Sequence, residues 1–265
     1  MTPSGIGPAA RVLAQRECDA IADALECQPD VHAAVHRARK TIRRLRALLA
    51  LLDNSALTTT TADAALRRLG NGLSALRDAH VVVETCERLA AAQPAQPWKA
   101  VCRRLKARRE KLLARALAND PGFARRQAAL LRIGTDLQVQ PWGLLKAADV
   151  RRGLARSERR TANAAKRAAR SHDAEDLHRW RRRVRRLRMQ LEALPLLAPS
   201  RAVPIKGHGQ NKNKQARALH ALSDQLGGQQ DLRMVRNLVR VMPGLSERRA
   251  LIEQIDADMG DRHLI

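Results

Sequence analysis

Residues 36–46 read HRARKTIRRLR, and residues 178–188 read HRWRRRVRRLR. Superposing the two histidines brings arginines and a leucine to the same offsets, which marks an internal duplication. At roughly 100° per residue, His36, Arg39, Lys40, Arg43 and Arg46 share one stripe of a helix. Val35, Ala38, Ile42, Leu45, Leu49 and Leu52 occupy the opposite side, the spacing of a helix that packs an apolar face into a bundle. The second copy repeats the pattern. His178, Arg181, Arg182, Arg185 and Arg188 form its polar stripe, while Trp180, Val184, Leu187, Leu191 and Leu194 face the core. A chain containing this pair must be built around two amphipathic helices.

The rest of the sequence has the same character. β-Branched and aromatic residues are scarce, and Ala, Leu, Arg and Glu recur at spacings of three and four, so the expected fold is all-α. Pro, Gly and Asx punctuation predicts eight helical segments, near 9–27, 30–52, 61–92, 98–117, 143–171, 173–197, 211–241 and 245–263. Asp30 and Asp173 are placed to cap the second and sixth, and Asn119-Asp120-Pro121-Gly122 closes the fourth. The duplication divides them into two four-helix repeats, about 9–118 and 143–263. A connection at about 119–142 joins these, short and helical over 123–140, and residues 1–8 are read as a flexible N-terminus.

Lys and Arg total 50 against 26 Asp and Glu, a formal charge of +24. Such an excess repels itself in the compact state and points to a polyanionic partner. The two motifs contain thirteen Lys or Arg and no carboxylate. Like charges one helical turn apart cost a few tenths of a kcal/mol each, roughly, which an external anion would relieve. Arg suits phosphate because its planar fork offers two donors at once. The chain has one Phe, three Trp and no Tyr. Stacking of bases on aromatic rings is therefore poorly provided for, and a ligand made of phosphate alone fits better than single-stranded nucleic acid.

Further residues carry groups capable of chemistry. The segment PIKGHGQNKNKQ at 204–215 places Lys206, Lys212 and Lys214 beside a helix start, with Gly207 and Gly209 permitting close approach, at the rim of such a site. Asp78 and Asp231, in LSALRDAHVV and LGGQQDLRMV, are carboxylates suited to holding motif arginines in position rather than to catalysis. His32 and His36 have the i, i+4 spacing of metal ligands, but lack a third ligand and a carboxylate base, so no metal site is assigned. Cys18, Cys27, Cys86 and Cys102 lack CxxC spacing and are read as reduced core residues. No leader-like segment or apolar run of membrane-spanning length is evident, which leads to the expectation of a soluble, cytoplasmic protein.

The motif HxxRxxxRRLR at His36–Arg46 and His178–Arg188, with LGNGLSALRDAHVV and LSDQLGGQQDLRMV, resembles the CHAD family over roughly 9–263. That resemblance implies two four-helix bundles related by pseudo-twofold symmetry, with a central basic groove that binds inorganic polyphosphate. It also implies, for some members, targeting to polyphosphate granules. Carried onto this sequence, His36, Arg39, Arg43, Arg46, His178, Arg181, Arg185 and Arg188 would line the groove, joined by Lys40 and Arg182. Met189 departs from the aromatic often found there. No ExExK strand of a fused triphosphate-tunnel domain occurs, so a stand-alone, non-enzymatic module without a cofactor is expected.

Binding to nucleic-acid backbone is the alternative. A phosphate-transfer enzyme fits less well, because it would need carboxylates to hold magnesium and the motif helices have none.

Overall fold

The computed structural model describes residues 5–26, 29–92, 97–171, 173–197 and 210–260, with backbone alone for 210–213. Among these the fold is all-α: α1 (Ile6–Leu25), α2 (Val31–Leu52), α3 (Thr60–Gly72), α4 (Ser74–Ala92), α5 (Trp98–Asn119), α6 (Ala124–Gln138), α7 (Ala147–Ser171), α8 (Ala174–Leu197), α9 (Gln210–Val241) and α10 (Arg248–Gly260). The local signals act as expected. The Asp30 carboxylate accepts from the Ala33 N–H at 3.0 Å, and that of Asp173 from the Glu175 N–H at 3.2 Å, satisfying donors otherwise left open at a helix start.

Three elements differ from the sequence expectation. The segment 61–92 is two helices, α3 and α4, parted at Leu73 just after Gly70-Asn71-Gly72, where helix propensity is lowest. The connection is helical as expected, over 124–138, but is also part of the core, burying Leu130, Ile133 and Leu137 on one face. Helix α1 begins at Ile6, inside the stretch read as flexible, because Gly7 lies against the Trp142 carbonyl so closely that a Cβ would overlap it.

The chain forms two compact units that interleave the sequence halves. One comprises the chain up to Gly72 together with Gly122–Ser223; the other is Leu73–Pro121 with the chain from Asp224. In the first, α2 is the central helix and packs on α1, α3, α7 and α8. This explains why Leu45, Ala47, Leu48, Leu49, Leu51 and Leu52 are all buried, on every side of its C-terminal half. Helix α8 packs on α1, α2 and α7. Its buried Gln190 donates to the Ala47 carbonyl of α2 at 3.0 Å, so this polar group is satisfied at the helix crossing. Gly153 of α7 touches the Leu51 carbonyl of α2, and a Cβ there would collide with backbone.

The second unit contains α4, α5, the later part of α9, and α10. Its core joins Val82, Val83, Leu89, Trp98, Leu105, Leu232, Val235, Leu251 and Ile255. The Trp98 indole N–H donates to Gln254 at 2.9 Å, and Arg236 grips Asp256 with two bonds at 2.6 and 2.9 Å. Cys86 and Cys102, expected to be reduced thiols, form a disulfide between α4 and α5 with Cα atoms 5.8 Å apart. Helix packing brings together two cysteines that no short motif connects. Cys18 is a buried free thiol, pushed up to about 11 by burial and then by Asp19 and Glu17. Cys27 lies outside the described residues.

Candidate anion-binding site

Both motif helices belong to the first unit and pack directly against each other. Their basic stripes are open toward their N-terminal halves, because the C-terminal halves are enclosed. On α2, His36 and Lys40 are exposed while Arg39 and Arg43 are half-buried. On α8, His178 and Arg182 are exposed and Arg185 is half-buried. The expected core residues of α2 are buried, as are Val184, Leu187, Leu191 and Leu194 of α8.

Two assignments change. Trp180 is half-buried rather than a core residue, since it lies in the second turn of α8, near the end of the packed region. Arg181, expected on the open stripe, is 8% exposed. Among the described residues α8 packs on α1, α2 and α7 and meets α9 at His220, so more of its surface is covered than its apolar face.

The structure also shows what holds these cations. Arg39 donates to the Gly70 carbonyl at the end of α3. Arg46 makes a two-pronged bond to Asp63 in the first turn of α3, at 2.8 and 3.0 Å. It is thus a tie between α2 and α3 as well as a stripe residue. Arg188 lies 3.6 Å from Glu192 and contacts the His220 ring on α9. His220 was not singled out in the sequence, where nothing local links it to the motif. Of the three lysines near 204–215, Lys214 is exposed on α9. Lys212 is on the same helix with its side chain outside the described set, and Lys206 lies outside the described residues.

Asp78 and Asp231 were expected beside motif arginines. Within their own compact unit both lie beside Arg77, Asp78 at 3.2 Å and Asp231 at 3.9 Å. Arg77 is 17% exposed and carries no motif signature; its significance comes from the junction of α4 with α9.

The field around α8 is strongly positive. Burial first, and then the charges of Arg182, Arg181 and Arg185, hold the His178 imidazole below its ordinary value, with Glu175 opposing. Burial also lowers Arg186, followed by Arg46, Arg183 and Arg160, against one opposing carboxylate, Asp63. Arg183 is lowered by burial and then by Arg160, Arg182 and Arg179. Arginine does not deprotonate in proteins, so these guanidiniums remain charged and repel one another.

The geometry defines an all-α protein built on a duplicated, outward-facing Arg/His helix. The CHAD domain family model matches residues 13–240, and the chain belongs to that family. The crystal structure of the CHAD domain from the plant Ricinus communis is similar in fold, with a TM-score of 0.66 and 22% identity, covering 98% of this chain and 86% of that one. No curated protein sequence matches the chain. Among the described residues, no helix is long and apolar enough to cross a membrane.

Proposed function

We propose that the chain is a non-enzymatic binding module for inorganic polyphosphate. The chain is held by His36, Arg39, Lys40 and Arg43 of α2 and by His178, Arg182 and Arg185 of α8, with Arg46, Arg181, Arg188 and Lys214 adding to the field. The observation that carries this reading is that both copies of the motif fall in one compact unit, on helices that pack together. A row of cations along a helix repeats roughly every 5.4 Å and suits an extended polyanion better than a single small one. Polyphosphate has no bases to stack, which agrees with an aromatic content of 2%. Family membership supports the same ligand class and, as a further step, localisation to polyphosphate granules in the cytoplasm.

Calorimetric titration with long-chain polyphosphate at physiological salt, with tRNA and duplex DNA in parallel, tests the proposal. Selective polyphosphate binding that strengthens with chain length is the expected result. Equal or tighter binding to nucleic acid would show that the stripes recognise phosphate backbone in general.

A further inference from the structure

The two motif copies are neutralised differently on the flank that is not the His/Arg stripe. Arg44 and Arg186 occupy the same offset in the repeat. Arg44 is 2.9 Å from Glu17 on the neighbouring helix α1. Arg186 has no hydrogen bond or ion pair among the described residues, and its neighbouring helix α7 supplies Arg160 instead of a carboxylate. One residue position sharpens the contrast: where the first copy has the buried Thr41, the second has Arg183. Arg183 and Arg160 likewise take no hydrogen-bond or ion-pair partner among the described residues.

The cluster is built by close packing. Helices α2, α7 and α8 contact one another pairwise, and Gly153 brings the α7 backbone against α2. One turn before Arg160, Arg156 donates to the Asp53 carbonyl just after α2, fixing this part of α7. Nearby carboxylates are committed: Asp63 binds Arg46, and Glu175 and Asp176 pair with Arg179 at 3.1 and 3.2 Å. On a helical wheel Arg183 and Arg186 lie roughly 80–140° from His178, on the side of Arg182 and away from Arg181, Arg185 and Arg188. They therefore form a flank that adjoins the stripe at Arg182 and, on α2, at Arg46. Half-buried guanidiniums cannot discharge by losing a proton, so a bound anion is the means left to offset their repulsion.

We infer that Arg160, Arg183 and Arg186 form a second anion site, on the α7–α8 flank, which takes a phosphate oxyanion in the forks of Arg183 and Arg186. The phosphate belongs either to a further segment of a polyphosphate chain or to a separate small phosphate compound. Its three guanidiniums are not among those assigned to the His/Arg stripe, so the site can be tested apart from it.

The test is the double variant Arg160→Gln/Arg183→Gln in the full chain, compared with Arg43→Ala/Arg185→Ala on the stripe. Thermal melts are recorded without anion, with inorganic tripolyphosphate and with orthophosphate, and long-chain polyphosphate is titrated separately. Removing the repulsion should raise the melting temperature of the free flank variant, which also establishes that it folds. Its protection by tripolyphosphate should fall well below that of the wild type, and further than in the stripe variant, because three phosphates span only part of the stripe. If long-chain affinity also falls, by about tenfold for the lost charged contacts, the site holds a segment of the chain. Unchanged long-chain affinity with lost protection by the small anions assigns it to a separate phosphate compound. Tripolyphosphate protection of the flank variant equal to that of the wild type overturns the site, whatever happens to its free melting temperature. A wild-type protein that ignores long-chain polyphosphate, yet loses tripolyphosphate protection in the flank variant, overturns the stripe reading alone.

Discussion

Helices α2 and α8 carry the same motif in different electrostatic settings. On α2, arginines of the stripe and of its flank are tied down: Arg46 to Asp63 and Arg39 to the Gly70 carbonyl on the stripe, and Arg44 to Glu17 on the flank. On α8, Arg183 and Arg186 stand among other guanidiniums. The difference teaches that a repeated motif fixes where cations are placed along a helix, while the neighbouring helices decide which of them are already neutralised. Charge paired within the fold serves cohesion; charge left over is available to a ligand.

The largest expected effect removes the packing on which this contrast depends. Gly153→Ala puts a methyl group into the Leu51 carbonyl and must push α7 away from α2. A backbone clash with no flexible side chain to yield should cost about 3 kcal/mol. Urea denaturation would measure it, and a loss below about 1 kcal/mol would mean that the two helices can separate without consequence.

Next in size is the loss of stripe cations. Arg39→Ala/Arg43→Ala on α2 and Arg182→Ala/Arg185→Ala on α8 should each weaken polyphosphate binding by about a hundredfold, at roughly tenfold per charge-assisted contact. Arg181 is left out because it is buried, so its removal would disturb packing as well as charge. Circular dichroism should be unchanged in both pairs. A strong effect from one pair and none from the other would show that a single motif copy suffices.

The extent to which these features were legible in the sequence follows from the range of each interaction. Asp30 and Asp173 cap the helices they precede, and a cap is decided within three residues. The apolar faces of α2 and α8 were legible for the same reason, since periodicity is a property of one helix. A wheel assumes one covered side, however, and fails where a helix has several neighbours: it could not anticipate that Arg181 would be enclosed, or that Ala47 on the stripe side of α2 would be buried. The pairs Arg44–Glu17 and Arg46–Asp63 span 27 and 17 residues and depend on tertiary packing. The same holds for Cys86–Cys102 and for Arg77 beside Asp231.

A smaller effect should come from making the first copy resemble the second. Glu17→Gln leaves Arg44 without its carboxylate, and should cost about 1 kcal/mol, the upper end for a partly exposed ion pair. Arg160→Glu should act in the opposite sense, stabilising the free protein by bringing a carboxylate to Arg183 and Arg186. Paired thermal melts at low salt would compare them. The same sign for both substitutions would show that charge pairing is not what distinguishes the two copies.

The smallest effect is a pH dependence carried by His178. Its folded value lies below the unfolded 6.5 because burial, and then Arg182, Arg181 and Arg185, disfavour the imidazolium. The free protein therefore has the full benefit of the neutral ring above about pH 6.5, and loses it as the pH falls through that value toward the folded one. A phosphate chain that neutralises the same arginines raises the His178 value, so binding takes up a proton and affinity increases as the pH drops from 7 toward 5.5. An increase of about two- to fivefold is expected. Calorimetry in buffers of different ionisation enthalpy would detect the proton directly. His178→Asn should flatten the profile; an undiminished slope in that variant would assign the proton to another group and remove His178 from the list of residues that sense the ligand's charge.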